Sequence, residues 1–142
     1  MSEANAPALT IDVVSDVVCP WCFIGKRNLE AALQGLATLD EVVVRWHPFE
    51  LNPDLPEEGV DRKAYLEAKF GGPERARQIY TRVREAGERA GIAFDFDAIP
   101  RQPNTREAHR LMGAEHDEIR GMSSCVEQNH ARSVALLNAD PH

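Results

Sequence analysis

The run Cys19-Pro20-Trp21-Cys22 stands between a β-branched apolar stretch and a segment of helical periodicity. No other feature constrains the fold as much. Leu9 to Val18 predicts a largely buried first strand. Pro20 suits the first helical turn, where its missing N–H would have no intrahelical partner in any case. Behind it Ile24, Leu29, Ala32, Leu33 and Leu36 fall on one helical face, with Lys26, Arg27 and Glu30 opposite. Glu41 to Phe49 predicts a second strand. Two strands joined by a helix form a βαβ unit with parallel strands.

The chain then becomes helical. Leu51 to Gly59, with Pro53 and Pro56, reads as a loop. Asp61 to Phe70 predicts a helix stopped by Gly71-Gly72. Pro73 opens another, in which Ala76, Ile79, Tyr80, Val83, Ala86 and Ala90 recur at helical spacing. A loop from Ile92 to Pro103 follows. Asn104 and Glu107 then suggest a capping box for a helix carrying Ala108, Leu111 and Met112. The expected α/β organisation is a disordered leader over residues 1–8, a βαβ unit over 9–54, a helical insertion over 55–114 and a weakly structured tail over 115–142.

Two cysteines three apart, where a strand becomes a helix, are the parts of a thiol–disulfide exchange site. Only the thiolate attacks a disulfide, and a free cysteine near pKa 8.5 is only ~3% thiolate at pH 7. Making the thiolate half the population requires about 2 kcal/mol of differential stabilisation. A helix N-terminus contributes ~0.3–1 kcal/mol. The first-turn amides of Trp21 and Cys22, and the thiol of the partner cysteine, must supply the rest. Cys19, nearer solvent, is expected to be the nucleophile. Cys22, one turn deeper, is expected to resolve the mixed disulfide. Pro20 and Trp21 complete the active-site loop, and Trp21 offers an apolar surface beside the sulfur.

Other readings of the pair carry less. A Cys-x-x-Cys can be half of a zinc site with His47 as third ligand, but Cys125 and His130 lie in the tail and no second half-site appears. Accidental spacing of two buried cysteines is the other alternative. His47 reads as a packed or surface histidine, and Cys125 as an incidental thiol. The charges along Arg75 to Arg89 read as a solvated helix face.

Formal net charge is −7, which argues against nucleic-acid and anionic-membrane partners. No apolar stretch approaches the ~20 residues of a membrane span. The start has no basic residue and no apolar h-region, so no secretory signal is read there. Three cysteines, one unpaired by count, do not make a disulfide framework. A cytoplasmic location is expected.

The stretch Asp12 to Gly25 around the cysteines resembles the DsbA-like thioredoxin-fold family. So do the segment Trp46-His47-Pro48-Phe49-Glu50-Leu51-Asn52-Pro53 and Asn104-Thr105 with Ala108-His109-Arg110-Leu111. The chain is most similar to the cytoplasmic FrnE-type subgroup, neighbours of 2-hydroxychromene-2-carboxylate isomerases and kappa-class glutathione transferases. The resemblance implies a thioredoxin-like βαβ unit, an inserted helical domain and disulfide oxidoreductase or isomerase activity through Cys19 and Cys22. Asn52, Asn104 and His109 could by the same resemblance line a groove near Cys19; by residue type alone, Asn104 is a helix cap and Asn52 a turn residue.

Periplasmic relatives often carry histidine between the cysteines. Trp21 stands there in this chain, so a less acidic Cys19 and a less oxidising pair are expected. The second half of a thioredoxin fold, two strands and a helix with a cis-proline, has no counterpart after Met112. A truncated chain or an out-of-frame tail is expected on that ground. The first strand would keep a free edge, a hazard for aggregation or homodimer formation.

The expected activity is thiol–disulfide exchange on protein or small-molecule thiols and disulfides. It needs no metal or organic cofactor, with glutathione or another thiol recycling the pair. Two further readings are a glutathione-dependent isomerase of a small aromatic or polyketide substrate, and an incomplete non-catalytic fragment.

Overall fold

The computed structural model describes residues 9–35 and 42–114. The expected leader, the tail with Cys125 and His130, and the stretch 36–41 lie outside the described residues. Leu9–Ser15 forms strand β1, Pro20–Gln34 helix α1 and Val42–Pro48 strand β2. The strands pair in parallel, Leu9 opposite Val42 and Ser15 opposite Pro48. The βαβ unit is therefore built as its pattern predicts.

Two details differ. β1 stops at Ser15 rather than Val18, because the Cys19 N–H bonds to the Asp16 carbonyl at 3.1 Å and closes a turn. Nor is β1 largely buried: Leu9, Asp12 and Val14 are exposed, alternating with covered residues. Among the described residues the strand has one neighbour, β2, so its pleat is only partly covered.

Helix α1 also turns differently from its expected face. Phe23 and Ile24 are buried, but so is Lys26, while Ala32 is exposed. The Lys26 ammonium bonds to Glu30 at 2.6 Å, and its alkyl stem takes a covered position that periodicity assigned to solvent.

The segment expected as a helical insertion follows. Val60–Asp61 forms β3, Arg62–Phe70 α2, Pro73–Arg89 α3, Phe96–Ala98 a 3₁₀ turn, Arg101–Gln102 β4 and Arg106–Ala114 α4. Asp61 caps α2 by accepting from the Ala64 N–H at 2.9 Å. β3 and β4 pair antiparallel, a two-residue ladder inside stretches read as loop and helix. Gly59 makes that approach feasible: its φ is 73°, and a Cβ there would meet the Gln102 carbonyl oxygen at 2.6 Å. At α4 the expected capping box does not form. Asn104 Oδ1 accepts from the Arg106 N–H at 2.9 Å, its amide donates to the Leu55 carbonyl at 2.7 Å, and Glu107 pairs with Arg110.

The main core joins α1 to the insertion. Phe23 and Ile24 pack with Val83, Ile92, Phe94 and Phe96. Phe23 meets Phe94 edge-on, and Phe94 stacks on Phe96 with centroids 4.9 Å apart. Burying each of these side chains contributes roughly 1.5–3 kcal/mol. The helix that begins at the cysteines is thus anchored in the helical unit. No described helix is long and apolar enough to cross a membrane.

Candidate active site

Cys19 is the N-cap of α1, with extended dihedrals (φ −85°, ψ 112°), and Pro20 opens the helix. The N–H groups of Cys22 and Phe23 both point to the Cys19 carbonyl, at 3.1 and 3.3 Å. Both cysteines are free thiols and half-buried, whereas Trp21 is 53% exposed.

The two thiols interact, and the proton of one bears on the acidity of the other. Cys22 is lowered to about 6, first because the Cys19 thiol donates to it. Burial opposes this; the Asp16 backbone N–H and the Ser15 hydroxyl assist, while the Asp16 carboxylate repels the charge. Ser15 Oγ is buried and has no partner within hydrogen-bond geometry, so its help is that of a nearby dipole rather than a formed bond. Cys19 is raised, first by that same bond to Cys22 and then by burial, although the Cys22 and Trp21 amides favour its thiolate. The first-turn amides of Trp21 and Cys22 favour a Cys19 thiolate as expected, but the partner thiol does the opposite of what was expected: it raises Cys19 and lowers Cys22. In this arrangement the negative charge rests on Cys22 and the shared proton on Cys19, and the expected difference in depth is not seen, since both are half-buried.

Beneath the turn lies a group that no motif marks. Asp16 is 1% exposed. Its carboxylate accepts from the Leu51 N–H at 2.8 Å and from His109 Nε2 at 3.1 Å. His109 Nε2 also lies 3.0 Å from the Phe49 carbonyl. Two acceptors at Nε2 make that nitrogen the proton-bearing one; Nδ1 is buried without a partner. Burial alone would push Asp16 up. The bonds from His109 and Leu51, with the Thr105 hydroxyl beside them, outweigh it and hold the carboxyl below its ordinary range. His109 thus reaches the site from α4, under the cysteines.

The remaining candidates are placed apart. His47 is exposed on β2 and bonds Asp12 at 2.7 Å. Asn52 accepts from the Tyr65 hydroxyl at 2.6 Å. Among the described residues no three His, Cys, Asp or Glu side chains gather at metal-binding distance. Phe49 and Leu51, both about half exposed, follow β2 and are tied to the turn: the Phe49 N–H bonds the Ser15 carbonyl at 3.0 Å.

The wider likenesses agree with this geometry. The chain is 33% identical over 95 residues to the uncharacterized protein YwbO of Bacillus subtilis (strain 168), a match covering 67% of this chain and 42% of that one. It shares 27% identity and a TM-score of 0.65 with the crystal structure of a probable DsbA oxidoreductase from Streptomyces coelicolor, over 92% of this chain and 51% of the other. The chain therefore spans about half the length of these relatives. A family profile matches residues 10–134, and with it the chain belongs to the DSBA-like thioredoxin domain family.

Proposed function

We propose that this chain carries out thiol–disulfide exchange, as a member of the cytoplasmic FrnE-type subgroup. The Cys19 thiolate, formed when its shared proton sits on Cys22, attacks one sulfur of a substrate disulfide and expels the other as a thiolate, which takes up a proton. Cys22 then attacks the Cys19 sulfur, releasing the substrate as a dithiol and leaving a Cys19–Cys22 disulfide. Glutathione or another thiol reduces that disulfide, becoming oxidised itself. Substrates are protein or small-molecule disulfides, and Trp21, Phe49 and Leu51 supply the apolar surface on which they rest.

The observation that carries the reading is the pair of free, half-buried thiols at a helix N-terminus, Cys19 as the N-cap and Cys22 in the first turn behind Pro20. Insulin reduction by wild type and by Cys19→Ser tests it. The substitution should abolish turnover; equal rates for the two proteins would overturn the proposal.

A further inference from the structure

The helical insertion holds a cavity of about 490 Å³ between α2, α3 and the 3₁₀ turn, and the Cys19–Cys22 turn contributes nothing to its walls. That is the size of a small-molecule site. Arg62, only 9% exposed, stands on its wall. Its guanidinium lies 4.7 Å over the Tyr80 ring and 5.4 Å over the Phe96 ring, and it donates to the Phe96 carbonyl at 3.3 Å. Among the described residues no carboxylate comes within ion-pair distance of it; Asp97 acts on it only from afar.

A buried guanidinium is ordinarily paired with an acid. Here none of its five N–H donors meets a carboxylate, its polar partners being the Phe96 carbonyl and the Tyr80 hydroxyl, and the two rings flank it beside an open cavity. Burial disfavours its charged form, and Tyr80 and the more distant Asp97 offset this only in part. The other charged wall residues add to the imbalance. Arg84 is held to the exposed Asp97 only loosely, at 3.8 Å, and Lys63 has no ion pair among the described residues. Arg77 is paired with Glu74, and Glu67 and Asp97 are the carboxylates on the wall. A cationic excess is thus concentrated in one concavity of a chain whose formal net charge is −7. Leu66, Ala76 and Ile99 give the same cavity an apolar floor.

We propose that this cavity binds an organic anion, its charged group on Arg62 and Arg84 and its apolar body on Leu66, Ala76 and Ile99. Guanidinium groups take a planar carboxylate through parallel N–H···O bonds, and the ring-clamped Arg62 has little rotamer freedom left to lose.

Calorimetric titration of the full chain with phenylacetate, its neutral amide phenylacetamide and inorganic phosphate tests the assignment. Phenylacetate should bind with a Kd below roughly 1 mM. The amide should bind at least ~10-fold more weakly, as loss of a charge-assisted pair requires. Arg84→Gln, at a part-exposed position where folding is not at stake, should weaken phenylacetate about 3-fold or more. Cys19→Ser should bind as wild type does, which separates this site from the redox proposal. No heat with phenylacetate at roughly 10 mM would overturn the inference. So would equal binding of acid and amide, phosphate binding as tightly as phenylacetate, or an Arg84→Gln protein indistinguishable from wild type.

Discussion

Replacing Cys19 by alanine isolates the bond that makes the cysteine pair acidic. Cys22 stands at about 6 against a reference of 9.0, and the largest cause is the proton donated by the Cys19 thiol. A thiol of that acidity is roughly nine-tenths thiolate at pH 7, where a free cysteine is ~3%. The difference corresponds to about 4 kcal/mol between thiol and thiolate. Solvent at these half-buried sulfurs screens the interaction, leaving roughly half of that as a measurable effect. In Cys19→Ala the Asp16 N–H and the Ser15 dipole remain, set against burial and the Asp16 carboxylate. The Cys22 midpoint should then rise to roughly 7.5, partway to an isolated thiol.

Thiolate ultraviolet absorbance and the rate of iodoacetamide alkylation, each followed across pH, report the midpoint directly. Cys19→Ser keeps a hydroxyl donor and should fall between wild type and Cys19→Ala. A Cys19→Ala midpoint still near 6 would refute the reasoning, because backbone and helix terminus would then be sufficient alone. The sign for stability follows by linkage. A depressed acid stabilises the fold increasingly as pH climbs from about 6 toward 9.0, and that increment is lost as pH falls through 6. Between those values reduced wild type should gain on Cys19→Ala in urea midpoint.

Other outcomes follow from the packing. His109→Ala leaves the Asp16 carboxylate buried with one partner fewer, and should lower urea-unfolding stability by roughly 3–5 kcal/mol. Asp16 is held below its ordinary 3.8, so its contribution is complete above that value and disappears as pH falls through the lowered one; Asp16→Asn should lose most against wild type near neutrality and converge with it in acid melts. At Gly87 a Cβ would meet the Phe94 ring at 2.5 Å, so Gly87→Ala should cost about 1–3 kcal/mol in spite of its better helix propensity, measured by thermal melting.

What was legible in the sequence is what local spacing determines. β-branched runs mark β1 and β2, Pro20 fixes the start of α1, and Gly71-Gly72-Pro73 separates α2 from α3. The cysteine turn is legible for the same reason, since four consecutive residues carry it. Interactions between distant residues were not. Asp16 and His109 lie 93 positions apart, and Asp16 reads as one more residue of a strand until the chain is folded. The resemblance put His109 near the groove but not on a carboxylate. Lys26 misleads because a long aliphatic stem lets a charged residue occupy a covered position. β3 and β4 have two residues each, too few for any periodicity.

Asp16 explains why the helical insertion belongs to the chemistry of the cysteines. Its carbonyl receives the Cys19 N–H, its own N–H faces the Cys22 sulfur, and its carboxylate holds the chain after β2 and the histidine of α4. One residue therefore fixes the turn from above and fastens it to the insertion from below. Phe23 and Ile24, the two residues after Cys22, add a second attachment in the shared core. A shift of α4 cannot leave the turn where it was without breaking a buried hydrogen bond, which costs about 1–3 kcal/mol. The same carboxylate also repels charge on Cys22. Holding Asp16 ionised thus stabilises the scaffold while restraining the thiolate it supports, and the acidity of the pair is the balance between Cys19's proton and Asp16's charge.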